Sequence, residues 1–376
     1  MNPRAAFNDF GDVVYLNASH KGPLPRVAQE AIRQAIQLQS EPWRLKDHMW
    51  FEVPDRTREL IAHMIGTSAD EIAITTSTSY GMNILAQGIQ WNPGDTILLI
   101  RGNFPSNVYP WMNMASRGAR VKFVEWTTPG DLVTQEQLEA EIVPGIRVVA
   151  IDYPHWTNGY LMDLKTLKAK CEEINAWLVL DCSQCIGAVQ MDVSKTPVDA
   201  IVASGYKFML SPYGTGFIYV PMARQEEISV TMPTWMGMIN ARDFSKLNEY
   251  DFSPVRSAAR FDVGGHTAFL NMMGMSASLE FLLDVGIKRI YHHVLRLFDR
   301  LIAELNTSKY RIISDLTPER RSTLLRFILN DPSQLQSTLE RLRRNKISVS
   351  FRDNGFRVTP HIYNNEADID RFLEVL

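Results

Sequence analysis

The chain has 376 residues, with 39 Lys and Arg against 42 Asp and Glu, a net charge of −3 with histidine neutral. At 45% apolar and 22% charged residues it has a globular composition able to bury a sizeable core, which excludes a disordered chain, a collagen-like repeat and a disulfide scaffold. The near-neutral balance argues against a general electrostatic grip on DNA or RNA, which needs basic stripes, and a small molecule becomes the expected partner.

In chain order, Leu24–Gln39 reads as a helix opening on Pro25, followed by a less regular Trp43–Met49 stretch and a second helix over Pro54–Ile65. From about residue 70 to 225, short apolar strands alternate with amphipathic helices. The strands are Glu71–Thr75, Thr96–Ile100, Val121–Glu125, Arg147–Tyr153, Trp177–Asp181, Ala200–Ala203 and Gly216–Val220. Helices fall between them at Tyr80–Gly88, Tyr109–Arg117, Gln135–Glu141 and Leu164–Ile174. Strands at this spacing need crossover connections, so the pattern is an α/β architecture built on a mainly parallel sheet with helices on both faces. Around Thr231–Ala259 the pattern lapses into Met, Pro, Gly and mixed polar residues, a long loop or a subunit-contact segment. Helical spacing returns at Leu270–Leu283, Ile287–Leu305 and Gln334–Arg343, and with strands at Thr323–Asn330, Ile347–Phe351 and Phe356–Val358 it suggests a smaller C-terminal α+β domain. The expected division is a large domain over 15–282 and a small one over 283–376, with residues 1–14 packing near the latter.

No apolar run approaches the ~20 residues that cross a bilayer, and Met1-Asn2-Pro3-Arg4 lacks the apolar core of a signal peptide. Cys171, Cys182 and Cys185 are too few and too close to staple the chain, and no second pair completes a zinc site beside Cys182 and Cys185. A cytoplasmic protein without a membrane contact and without a metal is expected.

The most informative stretch is Val179–Val220, where one strand ends in Asp181-Cys-Ser-Gln184 and a later one in Ser204-Gly-Tyr-Lys207. Side chains at the carboxyl ends of strands in an open α/β sheet converge on the ligand crevice, so an acid, an amide and a lysine face one ligand. Lys207 runs into Phe208-Met209-Leu210, apolar surroundings that lower an amine's pKa and make it a better nucleophile toward an aldehyde. An acid near a pyridine nitrogen would keep that nitrogen protonated. Thr76-Ser-Thr78-Ser79-Tyr-Gly81 follows a strand and opens a helix, so hydroxyls and free N–H groups meet at a positive helix end, either a phosphate cradle or a plain N-cap.

The run Asp181-x-x-Gln184, Asp192, Asp199, Ser204-Gly-Tyr-Lys207 and Pro212-Tyr-Gly-Thr-Gly216 resembles the signature of class V aminotransferase-like enzymes, fold type I enzymes dependent on pyridoxal 5′-phosphate (PLP). The resemblance extends from Tyr15-Leu-Asn17 to His361-x-Tyr363-Asn364 and implies the following roles. Lys207 is the Schiff-base lysine that later moves the substrate's Cα proton, Asp181 pairs with the pyridine nitrogen, and Gln184 contacts the phenolic oxygen. Thr78, Ser79, Ser204 and Tyr206 contact the phosphate; Tyr in the last position matches kynureninase-like members, where many relatives have His. Phe104 stacks on the ring where cysteine desulfurases have His. His155-Trp156-Thr-Asn158-Gly159 resembles a run of kynureninase- and epimerase-like relatives, making Trp156 a cofactor contact and His155 a substrate contact or a supporting histidine. Arg357 matches the arginine for the substrate carboxylate, with Arg352 beside it, and a guanidinium fork suits that anion. Asn17 and Ser19 belong to a loop that lines the substrate pocket in the family. Arg260–Thr267 resembles a segment sent across a dimer interface, which implies a homodimer and a cofactor contact at Gly265.

The resemblance implies chemistry at Cα of an amino acid or a small amino-acid-derived molecule, as an aminotransferase, lyase or epimerase of secondary metabolism. The absence of any cysteine after Cys185 disfavours cysteine desulfuration by persulfide relay. A catalytically inert dimeric scaffold is the alternative, and a nicotinamide enzyme would need a G-x-G-x-x-G that Thr76–Gly81 does not supply. Met232, Trp235, Met236 and Met238 offer either a pliable pocket wall or core packing.

Overall fold

A computed structural model of the chain describes residues 3–126, 132–263, 268–352 and 354–376. Seven strands form its larger sheet: β1 (Ile72–Thr75), β2 (Thr96–Ile100), β3 (Arg120–Val124), β4 (Ile146–Asp152), β5 (Trp177–Asp181), β6 (Ala200–Ser204) and β7 (Gly216–Tyr219). Their spatial order is β1-β7-β6-β5-β4-β2-β3. All neighbours run parallel except β7, which is antiparallel to both β1 and β6. The expected strands agree with these to within one residue at each end.

Strands covered on both faces must be apolar at successive positions, and these are. Ile74, Leu98, Val149, Leu180 and Ile201 point into one core, while Ala73, Leu99, Val148, Val179 and Val202 point into another on the opposite face. The flanking helices include α1 (Arg26–Ser40), α2 (Met49–Ile65), α3 (Thr78–Gly88), α4 (Leu164–Glu173), α5 (Phe269–Val285) and α6 (Ile287–Glu304). Helix α2 begins five residues before its expected start. Proline at 54 reads as a first-turn residue, but burial of Phe51 carries the helix back past it. The helix expected over Tyr109–Arg117 tightens after Met112 into a 3₁₀ turn over Asn113–Arg117, closed by Gly118 at φ +87°.

A second sheet is antiparallel throughout, in the order β10-β11-β9-β8, from β8 (Tyr310–Ile312), β9 (Leu325–Leu329), β10 (Ser350–Arg352) and β11 (Gly355–Val358). The strand expected over Ile347–Phe351 divides: Ile347–Ser348 pairs in parallel with Val14–Tyr15, and Ser350–Arg352 turns into the sheet. Phe298 and Leu301 of α6 pack there with Phe327, Phe356 and Phe372. Tyr310–Ile312 and a C-terminal helix over Glu366–Val375 add to the elements expected from sequence. Thr231–Ala259 is irregular apart from short 3₁₀ turns, and among the described residues no helix is long and apolar enough to cross a membrane.

The chain entering the larger sheet is tied to both sheets. Leu16 N donates to Ser348 O at 2.9 Å, Thr359 N donates to Leu16 O at 2.9 Å, and Gly22 N donates to Tyr206 O at 2.8 Å. This loop therefore spans from the end of β11 to the carboxyl end of β6.

Candidate active site

Strands β4, β5 and β6 end side by side, and each delivers a polar group there. Asp181 closes β5; it is buried and accepts a hydrogen bond from Ser183 N at 2.9 Å. Burial raises its pKa, while the nearby Lys207 ammonium pulls it back. Three residues beyond β6, Lys207 sits in a tight turn in which Leu210 N donates to Lys207 O at 3.1 Å and Gly205 N donates to Thr215 O at 2.8 Å. A Cβ on Gly205 would lie 2.3 Å from Thr215 Oγ1, so the turn closes only around glycine. Phe208, Met209 and Leu210 are buried, and burial lowers the Lys207 pKa, against the opposing pull of Asp181 and Asp152. A larger share of free amine at neutral pH is the result.

Lys207 opens into a cavity of about 460 Å³ that Phe104, Trp156, Gln184, Tyr206 and Arg357 also line. Its Nζ lies 5.2 Å from the centre of the Phe104 ring and 5.9 Å from that of Tyr206. Trp156 meets Phe104 edge-on at 5.3 Å and is anchored by donating from Nε1 to Gly102 O at 2.7 Å. The Arg357 guanidinium, on β11, lies 5.6 Å from the Trp156 ring, donates to Trp156 O at 2.8 Å and to Ser350 Oγ at 3.2 Å, and is buried. Burial, then Arg352, pulls its pKa down to about 10. Gln184 donates to Ser19 O at 3.2 Å. The Gln184 Oε1 and Arg357 Nε atoms are buried without a protein partner, the condition of groups that await a polar ligand.

Asp152, at the end of β4, escapes sequence reading because it looks like an ordinary strand terminus. It is buried and accepts from Phe104 N at 2.6 Å and Asn107 Nδ2 at 3.0 Å, so it holds the Phe104 loop against the sheet. Burial and then Asp181 hold its carboxyl well above the usual range. His20, in the loop expected to line the pocket, also lines the cavity, as do Lys21 and Tyr213, which were not singled out from the sequence.

Other expected residues lie elsewhere. Thr78 turns inward, its hydroxyl bonded to those of Ser183 (2.6 Å) and Ser204 (2.7 Å), while Ser79 faces outward to Ser106 at 2.9 Å beside a separate cleft. The two hydroxyls therefore diverge, although the opening of α3 stays at the strand ends. His155 is outside the cavity lining, with Nδ1 3.0 Å from Asn158 Oδ1 and 3.1 Å from Thr157 Oγ1. Asn17 is buried beneath Ser19 and accepts from Ser350 Oγ at 2.6 Å, whereas Ser19 and Arg352 do line the cavity. Gly265 lies outside the described residues. Met236 and Met238 face a different cavity, against α2. Asp199 is a clamp within the fold, accepting from Lys168 Nζ at 2.8 Å, Arg224 Nε at 2.9 Å and Leu178 N at 2.8 Å.

A sequence model of the aminotransferase class-V family matches residues 27–372. An uncharacterized aminotransferase of Schizosaccharomyces pombe is 24% identical over 97% of this chain and 91% of its own length. Isopenicillin N epimerase of Streptomyces clavuligerus is 25% identical over 97% and 94%, and kynureninase of Deinococcus radiodurans 27% identical over 80% and 72%. Among solved structures, C-DES with glycine covalently linked to its PLP cofactor superposes with a TM-score of 0.88 at 21% identity, covering 99% of this chain and 98% of that one. The fold is thus that of the fold type I enzymes, and the chain belongs to the class-V aminotransferase family, a family of PLP-dependent enzymes.

Proposed function

We propose that this chain holds PLP through Lys207 and acts at Cα of an amino acid or a small amino-acid-derived molecule, as an aminotransferase, lyase or epimerase. The observation that carries the reading is the convergence of a buried amine, two aromatic rings and a buried guanidinium on one cavity, with the buried Asp181 closing the strand beside the lysine's. The residues fit the cofactor, since the cavity is closed on one side by aromatic rings and keeps unpartnered polar atoms on Gln184 and Arg357. When bound, PLP supplies an aldehyde for an amine and a ring that accepts the electrons released at Cα.

The chain's own groups divide the remaining work. Lys207, with its lowered pKa, is the amine that anchors the cofactor and then holds or moves the Cα proton. Asp181 would pair with the ring nitrogen, and the Gln184 amide nitrogen would donate to the ring's oxygen. Phe104 and Trp156 wall the ring and exclude water. The start of α3 with Ser204 and Tyr206 would hold the phosphate, with Thr78 N donating to Ser204 Oγ at 2.9 Å and Tyr206 lining the cavity. Arg357 binds the substrate's α-carboxylate. His155 supports the Trp156 turn. A homodimer in the cytoplasm is the setting we propose, with the segment after Arg260 near the partner. Arg260 itself is held in its own chain by Glu226 and the Gln225 carbonyl. Persulfide-relay desulfuration is not our reading, because the three cysteines are buried and none follows Cys185.

The test is a visible absorption spectrum of the protein incubated with PLP and dialysed, then titrated with L- and D-amino acids. A retained band that shifts for a few compounds, and is lost in Lys207→Ala, supports the reading. Wild-type protein that retains no band refutes it and favours an inert scaffold.

A further inference from the structure

The roles proposed above leave three basic groups at the mouth of the cavity with nothing to do. His20, Lys21 and Arg352 line the same space as Lys207 and Arg357, and among the described residues no Asp or Glu lines it with them. Arg352 donates to the neighbouring Phe351 O at 2.7 Å, and among the described residues none of the three groups forms an ion pair with a carboxylate. Burial comes first in lowering the His20 pKa, followed by Lys21, Arg352, Arg357 and Lys207, all of them cations.

The loop carrying His20 and Lys21 is built into the site. Ser19 N donates to Thr359 Oγ1 at 3.1 Å, Tyr15 Oη donates to Lys21 O at 2.7 Å, and Gly22 N donates to Tyr206 O. A Cβ on Gly22 would lie 2.1 Å from Lys207 O, so only glycine lets this loop press against the lysine turn. Arg352 ends β10 in register with Gly355, on the hairpin that also carries Arg357. Cations gathered together repel one another, and a ligand anion offsets that cost. Lys207 is committed to the cofactor and Arg357 to one carboxylate, which leaves Arg352 and Lys21 for another.

We propose that the substrate carries a second carboxylate, at the end of its side chain, held by Arg352 and Lys21 with His20 alongside. The substrate class is then an amino acid with an acidic side chain. This rests on the proposed function for the use of Arg357 and Lys207, and it adds a subsite to that reading.

Calorimetric titration of the PLP-treated protein with unreactive acids matched in length tests it: succinate against butyrate, glutarate against pentanoate, adipate against hexanoate. At least one dicarboxylate is expected to bind tenfold or more tightly than its partner. Arg352→Ala and Lys21→Ala should each erode that preference while leaving monocarboxylate affinity and the visible band in place. Equal affinity within every pair, or a loss in Arg352→Ala that falls equally on both acids, overturns the inference. The visible band reports the proposed function separately: protein that keeps PLP but shows no preference fails only the second subsite. Protein that keeps no PLP fails the function, and its preference between the acids still decides the subsite.

Discussion

Asp152 and Asp181 end adjacent parallel strands in register, which puts their Cα atoms about 4.8 Å apart and both side chains on one face of the sheet. Two buried carboxylates at that spacing repel each other. At about 5 Å and an effective dielectric of about 20, the cost of ionising both is ~3 kcal/mol. Asp152 is the member whose pKa is pushed well up, by burial first and then by Asp181. Below the unfolded-state value of about 3.9 it is protonated in both states and contributes no pH dependence. Above that value the unfolded chain releases the proton while the folded chain keeps it, so wild type loses stability by about 1.4 kcal/mol per pH unit until the raised folded value is passed.

Asp152→Asn removes this titration. The substitution has its own cost, because the Asn side chain has one acceptor oxygen for the two donors, Phe104 N and Asn107 Nδ2; the orphaned donor costs about 1–3 kcal/mol at every pH. The variant should therefore be less stable than wild type near pH 4, and the gap should shrink as the pH rises from there toward 8. Asp181 is present in both proteins and its contribution cancels to first order. Urea unfolding of the protein without added PLP, across that pH range, reads the difference directly. Wild-type and variant curves that run parallel would mean that Asp152 is ionised in the folded state and the shared-charge argument is wrong.

Three further perturbations follow from the geometry. Gly22→Ala puts a methyl 2.1 Å from Lys207 O and 2.7 Å from Leu210 Cδ2, so backbone must move; a loss of about 1–3 kcal/mol is expected in thermal or urea unfolding, and an unchanged midpoint would show that the loop does not bear on the lysine turn. Asp199→Ala strips the carboxylate from Lys168 and Arg224, both largely buried, and should cost about 3–5 kcal/mol while folded protein still takes up PLP; a loss under ~1 kcal/mol would remove Asp199 as the clamp. Arg357→Lys trades a forked guanidinium for a point charge and should weaken butyrate and pentanoate binding about tenfold or more at unchanged stability; calorimetry finding equal affinity would exclude Arg357 as the carboxylate site.

The larger sheet was legible because its strands are short apolar blocks separated by polar helices, and because buried parallel strands carry little else. Lys207 and Gln184, which line the cavity, stand just past strand ends, where a ligand of such a sheet sits, and Asp181 closes the strand before Gln184. What escaped reading is what depends on a partner far along the chain. Asp152 becomes a buried acid only through its register with Asp181. Lys21 carries no signal of its own in the sequence, and it is the Gly22 contact with Lys207 O that brings its loop to the lysine turn. The family resemblance pairs Thr78 with Ser79, yet successive residues at a helix start project about 100° apart, so one turns to Ser204 and the other to Ser106. The strand Tyr310–Ile312 is three residues long, too short for periodicity to register, and it exists because β9 offers it an edge.

These long-range ties also decide what sets the span of the site. Arg357 belongs to the smaller sheet and Lys207 to the larger, and the segment 16–22 is bonded to both. Thr359, two residues after Arg357, donates from its hydroxyl to Ser19 Oγ at 2.9 Å; Ser19 O receives Gln184 Nε2; and Gly22 N reaches the Tyr206 carbonyl beside Lys207. The bonds run from 2.8 to 3.2 Å, and those at Ser19 and Thr359 are buried, so the loop acts as a strut between the guanidinium and the amine. The distance between the Arg357 guanidinium and the Lys207 amine is thus set by seven residues near the N-terminus. On the proposed function, the loop that presents Lys21 would also fix the length of substrate that reaches from one to the other.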